Sequence, residues 1–382
     1  MRIVHLCLSS FYIDGYNYQE NVLPRINLLD GNDVLILAST ETYIDNKKYG
    51  YKEPGAYYTE FGVPIKRLPY RRVISTSLSH KVRSYIGVYE ELENYHPDVI
   101  FAHGLTFWSI LEVSKYIKNH QGVILYTDTH AAAYNSGTTW LSRVFLHRIF
   151  YRFIIQRALI TIKKVFYVGE AEHLFARKYY NIPEEKMEFY PLGGELLTEL
   201  EYEEIRKKKR KELGIEGDIH MYLHTGKMNK QKRTIELIKA FSAVEDEKAC
   251  LIIIGSVSND IEKEFYENIN QDQRIHYLGW KTGEELQEYL CAGDLYCQPG
   301  SVSATMQNAV CRYCAIMAYP HLPYTHDLDY GNILWINTEK DIENVFKSIS
   351  DAPGLLERLR NNSKKCAKEL LDYRKLAARI YY

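Results

Sequence analysis

IHMYLHTGKMNKQKR, residues 219–233, begins as an apolar, β-branched and aromatic run and ends as a basic loop. Ile219–Thr225 reads as a strand, and Gly226 at its end lets the backbone turn tightly. Lys227, Lys230, Lys232 and Arg233 then crowd into the turn before a helical pattern over Thr234–Glu245. The same alternation continues. Strands are expected at Ala249–Gly255, Arg274–Leu278, Asp294–Gln298 and Ala315–Tyr319. Helices are expected at Asp260–Asn270, Gly283–Cys291 and from Met306 to Cys311. Short apolar runs separated by amphipathic ones describe a parallel sheet with helices on both faces.

Upstream the pattern is similar. Strand candidates are Arg2–Leu8, Asp33–Ala38, Asp98–His103, Gly122–Thr127 and Lys164–Val168, with helical patterns such as Lys81–Asn94 and Phe107–Asn119 between them. The expected fold class is therefore α/β, with two doubly wound Rossmann-like domains. Pro191, Gly193 and Gly194 mark the hinge, and the Glu-, Lys- and Arg-rich stretch Glu199–Gly214 reads as a solvated helix just past it. Ligands in such sheets bind outside the carboxyl ends of the strands. Residues that directly follow strands are thus the ones to examine.

A length of 382 residues suits two domains. With 46% hydrophobic and 25% charged residues the chain is globular in composition, and a net charge of -1 argues against nucleic acid as a partner. The 33 tyrosines are spread along the whole chain, and the seven cysteines are odd in number and scattered. A disulfide framework is not expected, and a reducing cytoplasm is the simplest compartment. The opening MRIVHLCLSS is too short for a membrane span and lacks a signal-peptide cleavage site.

Two strand ends in the second half suit an anion. Taken alone, Gly226–Arg233 is a solvated basic turn, but its cations also suit a diphosphate. After Asp294–Gln298 comes Pro299-Gly300-Ser301-Val302-Ser303-Ala304-Thr305-Met306-Gln307, which reads as a helix N-terminus with free backbone N–H groups, capped by Ser303 or Thr305. In the first half His130 follows Asp128 by two positions, so both side chains point the same way if the strand continues. Asp128 would orient the imidazole or bind an acceptor hydroxyl. His103 ends another strand and reads as a residue lining the cleft. Asp327-Leu328-Asp329 reads as a surface loop, and Cys311-x2-Cys314 as core cysteines.

In their order, Gly226-Lys227-x4-Lys232, Leu237-Ile238-Lys239-Ala240-Phe241, Ile253-Ile254-Gly255, His276-Tyr277-Leu278-Gly279-Trp280, Ala292-Gly293-Asp294-Leu295-Tyr296 and Pro299 resemble glycosyltransferase family 4. Asp14-Gly15-Tyr16-x-Tyr18-Gln19-Glu20-Asn21 and Asp128-Thr129-His130 look like its polysaccharide- or capsule-biosynthesis branch. The resemblance implies a GT-B architecture, two doubly wound domains facing a central cleft. Residues 1–195 would be the acceptor-binding domain, 196–365 the nucleotide-sugar donor domain, and 366–382 a helix, around Leu370–Ile380, returning to the first domain.

It also implies a metal-independent, retaining hexosyltransferase that moves a sugar from a nucleoside-diphosphate sugar to a glycan or lipid-linked glycan. Lys227 and Lys232 would stand against the donor phosphates, with the helix start at Ser303, Ala304, Thr305 and Gln307. Gly15 would bring backbone close to phosphate, and His130 would stand near the transferring sugar. The base would lie between Gly255 and Gly279, with Trp280 nearby; Asp128 and His103 fall on the acceptor side. The family's Glu-x7-Glu is replaced here by Ser303 and Gln307. That departure keeps open a GT-B accessory or binding protein without turnover, and more remotely a nucleotide-sugar epimerase. Ser142–Ile162 mixes Arg143, His147, Arg148, Arg152 and Arg157 with aromatic and aliphatic residues. It reads either as a helix packed on the first domain with snorkelling arginines or, the reading favoured here, as a helix on an anionic membrane surface, which would make the cytoplasmic protein peripheral on the inner face of the plasma membrane.

Overall fold

The computed structural model describes residues 1–382 except 45–47, 73–74, 216, 302, 304, 321–327, 353 and 382. The chain divides into two compact units, Met1–Pro191 together with Tyr373–Tyr382, and Leu192–Asp372. Residues 366–371, expected to leave with the last helix, stay with the second unit because Cys366, Ala367 and Leu371 are buried in its core.

Ten strands form in the first unit: β1 (Arg2–Cys7), β2 (Asp33–Ser39), β3 (Glu41–Ile44), β4 (Lys48–Tyr51), β5 (Gly55–Tyr58), β6 (Pro64–Leu68), β7 (Val99–Ala102), β8 (Ile124–Thr129), β9 (Ile162–Tyr167) and β10 (Met187–Phe189). Eight of them make one sheet in the order β10-β9-β8-β7-β1-β2-β6-β5, while β3 and β4 pair separately. All neighbours in the large sheet run parallel except β5 against β6. Alternate residues face opposite layers. Val4 and Leu6 join one core with Ile100, Leu125 and Val165. Ile3 joins another with Val99, Phe101, Val22, Ile26 and, from the far end of the sequence, Tyr373, Leu376 and Ile380.

The second unit has β11 (His220–Met228), β12 (Ala249–Val257), β13 (Ile275–Tyr277), β14 (Leu295–Gln298), β15 (Ala315–Ala318) and β16 (Ile333–Trp335), in the order β13-β12-β11-β14-β15-β16 and all parallel. Both sheets thus reverse direction beside their first strand, between β1 and β7 and between β11 and β14. Ligands in doubly wound sheets bind outside the strand ends at such a switch point.

Several expectations are corrected. Lys81–Asn94 is not one helix: Thr76–Val82 ends at Arg83, whose φ of 53° is left-handed, and a new helix runs over Val88–Tyr95. Strand β11 does not stop before Gly226 but continues to Met228, with Gly226 paired to Gly255 of β12. Gly226 is therefore a kink inside a strand, not a tight turn. The helix Glu199–Glu212 is not simply solvated. Its Arg206 and Arg210 both pair with the buried Asp294, and Arg210 Nη1 lies 3.2 Å from Asp294 Oδ2. Asp327 lies outside the described residues, but Leu328 is buried in the core and Asp329 accepts from Trp335 Nε1 at 2.8 Å. Asp329 itself stays exposed, as expected of a surface loop. Among the described residues no helix is long and apolar enough to cross a membrane.

The glycine pair sets a sharp steric condition. A Cβ on Gly255, whose φ is 145°, would stand 1.8 Å from the Gly226 carbonyl oxygen; one on Gly279, φ 66°, would meet nothing within 4 Å. Gly279→Ala should cost only the conformational penalty, about 1 kcal/mol. Gly255→Ala should cost clearly more, about 3 kcal/mol, because strands β11 and β12 must separate. Urea unfolding of the two variants checks the order; equal losses would mean that the close approach does not matter.

Candidate functional site

At the β11/β14 switch, Lys232 lies in a short turn, Lys230–Lys232, whose N–H is capped by Asn229 Oδ1 at 3.1 Å. Its side chain is largely buried beneath Gly226, where a Cβ would stand 3.5 Å from Nζ. Among the described residues Nζ reaches only the Ser301 carbonyl, at 3.5 Å. Burial without a carboxylate partner lowers the Lys232 ammonium from its usual range. The loop after β14 is clamped to this turn: Ser301 N donates to Gln231 O at 2.8 Å, and a Cβ on Gly300 would stand 2.0 Å from the same oxygen. Lys227, next along the strand from Gly226, is exposed and has no hydrogen bond or ion pair among the described residues.

The expected helix N-terminus is present one residue earlier than Met306, on a short helix. The helix runs only over Thr305–Cys311, Ser303 Oγ accepts from Thr305 N at 3.3 Å, and Ala304 lies outside the described residues. Gln307 is buried. Seven residues make a weak anion site on their own, so the ammonium groups hold most of the positive potential here. Gly255 N donates to Gly279 O at 2.8 Å and Tyr277 Oη to Gly255 O at 2.8 Å, which fixes the ends of β12 and β13. Trp280 beyond them is 70% exposed.

The first unit holds a chain of buried polar groups. Tyr381 Oη donates to Asp30 Oδ2 at 2.7 Å, so it must accept from Asn27 Nδ2, also at 2.7 Å. Asn27 Oδ1 therefore accepts from His5 Nε2 at 2.8 Å. Burial, and then the charge on His103, keep His5 neutral by lowering it well below the usual histidine value. Its Nδ1 then accepts from His103 Nε2 at 3.0 Å. His103 turns its other nitrogen to Asp128 Oδ2 at 3.2 Å, and a carboxylate there requires a proton on it. Asp128 also accepts from Gly104 N at 2.6 Å and Gln19 Nε2 at 3.0 Å. Burial alone would raise the Asp128 carboxyl; His130 and His103 beside it reverse this and hold it well below the carboxylate range.

His130 Nε2 stands 3.4 Å from Asp128 Oδ2, an ion pair without a well-directed hydrogen bond. Burial would lower the His130 imidazole, but Asp128 outweighs it and pushes it up to about 9. His130 is thus a cation and a donor at neutral pH, not a base. It keeps 28% of its side-chain surface accessible. His103, by contrast, is completely buried and does not line any surface, which corrects its expected place. Gly15 takes a left-handed φ of 75° in the loop after β1. Sequence reasoning missed His5 and Asn27 as supports. It also missed Glu172, a buried carboxyl raised by burial, which accepts from Tyr134 Oη at 2.7 Å and acts on His130. A polar residue inside an otherwise apolar strand, as His5 is, was the available signal.

Residues 220–318 match the model of the family described as glycosyl transferases group 1. No curated protein matches the chain significantly. Solved structures are similar over its length. Anabaena HepE, in complex with UDP and glucose, is 13% identical with a TM-score of 0.61, covering 100% of this chain and 98% of that one. Sucrose-phosphate synthase of Thermosynechococcus elongatus is 12% identical with a TM-score of 0.63, covering 100% and 97%. WaaG, a glycosyltransferase involved in lipopolysaccharide biosynthesis, is 14% identical with a TM-score of 0.59, covering 99% of each chain. The chain has the GT-B fold.

Replacing Asp128→Asn should drop the His130 titration from about 9 toward the ordinary histidine value. In the native protein the stabilisation from the raised His130 is complete below about pH 6.5 and is lost as pH rises through that higher value. Histidine NMR titration and stability against pH read both effects. An unmoved His130 resonance in the variant would show that Asp128 is not the cause.

Proposed function

We propose that this chain is a retaining, metal-independent glycosyltransferase of family 4, of the polysaccharide- or capsule-biosynthesis type. It takes a sugar from a nucleoside-diphosphate donor and passes it to a glycan or lipid-linked glycan at the cytoplasmic face of the membrane. The observation that carries this reading is Lys232: a buried ammonium at the switch point of the second sheet with no carboxylate partner among the described residues, beside an exposed Lys227 that likewise has none there. A cation kept in that state suits a diphosphate whose charge grows as the bond to the anomeric carbon breaks. The narrow backbone of Gly226 and Gly255 leaves room for phosphate oxygens to approach. In the first unit, His130 as an imidazolium donates a hydrogen bond to a sugar hydroxyl, and Asp128 keeps it charged. HepE has been solved in complex with UDP, which makes a uridine diphosphate donor the first to try.

Lys232→Ala should weaken UDP binding by about 1.5–3 kcal/mol, the range for a hydrogen bond to a charged group, in calorimetry at fixed salt. Native affinity in that variant would remove the donor assignment. A second reading, binding without turnover, is favoured by Ser303 and Gln307 at the positions of the family's two glutamates. Nucleotide-sugar panels with and without acceptor extracts separate the two: diphosphate release with transfer supports the enzyme, and tight binding with no release supports the accessory protein.

The membrane partner rests on the helical stretch Ser142–Tyr151 and Arg152–Ala158. Leu141, Phe145, Ile149 and Phe153 are exposed at every fourth position, with Trp140 preceding them, and Arg148 and Arg152 flank the row. An apolar row edged with cations is suited to an anionic lipid surface. Arg148→Glu with Arg152→Glu should abolish sedimentation with anionic vesicles at physiological salt while leaving UDP affinity unchanged. Undiminished sedimentation would exclude this face as the lipid contact.

A further inference from the structure

The switch point of the first sheet holds a cation that the proposed chemistry does not use. Arg83 follows the helix Thr76–Val82 in a left-handed conformation, φ 53°. That conformation is strained for a residue with a side chain. The loop after β7 holds it there: Trp108 N donates to both Val82 O and Arg83 O, at 2.9 and 3.0 Å, and Tyr85 N donates to Ser109 Oγ at 2.9 Å. The strain directs the guanidinium into the gap between the ends of β1 and β7. There Nη1 donates to Ser9 Oγ at 3.2 Å, Thr106 Oγ1 at 2.9 Å and Thr106 O at 3.3 Å. Phe11 lies under the guanidinium, 5.3 Å from its ring centre.

All these partners are neutral. Among the described residues Arg83 has no carboxylate partner, its Nε is sealed from solvent without an acceptor, and its Nη2 makes no hydrogen bond. The Glu41 carboxylate is taken up by Tyr49 and Tyr70 instead, and Tyr85 donates to Tyr70 Oη at 2.9 Å. Arg83 is only partly buried, so a guanidinium with a sealed, unsatisfied Nε still presents a positive charge that an anion would neutralise. Nη2 is not among the sealed atoms, and a charge-assisted hydrogen bond from it suits one oxygen of a carboxylate or phosphate.

The same strand ends lead to Asp128. A Cβ on Gly104 would stand 2.6 Å from Ser9 Oγ, and the Gly104 N–H donates to Asp128, which carries His130. Arg83, Ser9, Gly104, Asp128 and His130 thus form one continuous edge within the first unit. We propose that Arg83, braced by Ser9 and Thr106, is a subsite for an anionic group, carboxylate or phosphate, on the sugar acceptor. This rests on the transferase reading and gives it an acceptor class: a charged glycan, such as one bearing a uronic acid or a sugar phosphate.

The test uses the full chain without donor. The Arg83 Nε–Hε resonance and the Ser9 and Gly104 amides are followed by NMR while inorganic phosphate, glucuronate or neutral glucose is added at constant ionic strength. A saturable shift with phosphate alone, glucuronate alone or both, and none with glucose, supports the subsite and identifies the anion. Arg83→Gln should weaken the response by about tenfold or more, as loss of a charged hydrogen bond does. Thr106→Val, which removes a brace and keeps the charge, should weaken it less and serves if Arg83→Gln does not fold. No saturable shift with either anion, or one unchanged in a folded variant, overturns the proposal. UDP binding through Lys232 is measured separately, so a failure here leaves the donor reading standing and a failure there leaves this one.

Discussion

A parallel sheet covered on both faces has no room for polar side chains except at its ends, and this constraint organises both units. The residues Ile3–Leu6, Val99–Ala102, Met221–Thr225 and Leu295–Cys297 of β1, β7, β11 and β14 are buried, and the polar ones among them are His5, His224 and Thr225. Where the strand order reverses, the connections leave the sheet in opposite directions and the backbone is uncovered. The unusual groups gather at these two places: Lys232 beneath paired glycines in one sheet, and Arg83 and Asp128 on either side of Gly104 in the other.

Two buried aspartates show how burial separates structure from chemistry. Asp294 sits at the start of β14 and is surrounded by Arg206, Arg210 and Arg360, with Met221 N donating at 2.8 Å. Its positive partners outnumber it, and all are tied to carbonyls or to Asp294 itself; it fastens a helix to a sheet. Asp128 is equally buried but passes its charge outward to a histidine that still meets solvent. The first carboxylate closes a network and the second leaves one end open, which is why only the second belongs to the candidate site.

The second unit is legible in the sequence to within a few residues because each strand is a compact apolar run ended by glycine, proline or charge, as in Ala249–Val257 and Leu295–Gln298. The first unit is less so. Strands β3 to β6 are rich in Tyr, Gly and Lys and owe their form to pairing with each other and with β2, which local composition does not announce. The break at Arg83 carries no glycine or proline to signal it; the tertiary contact from Trp108 imposes it. At the candidate site, Lys227, Lys232, Asp128 and His130 are recognisable because they lie at or just past the ends of strands. His5, Asn27 and Arg83 are not, because their roles depend on partners between 22 and 354 residues away.

Residues 373–381 complete the first unit's core and supply Tyr381, which sets the direction of every hydrogen bond from Asn27 through to Asp128. A ribosome releases them long after the rest of that unit. The nascent first sheet must therefore wait with one apolar layer only partly covered, by the helix that carries Val22 and Ile26, and its hydrogen-bond chain unset, while the contiguous second unit is free to fold in the interval. Cotranslational order is thus inverted relative to sequence order. The half made first is finished last, and chaperone dependence during synthesis should concentrate on it.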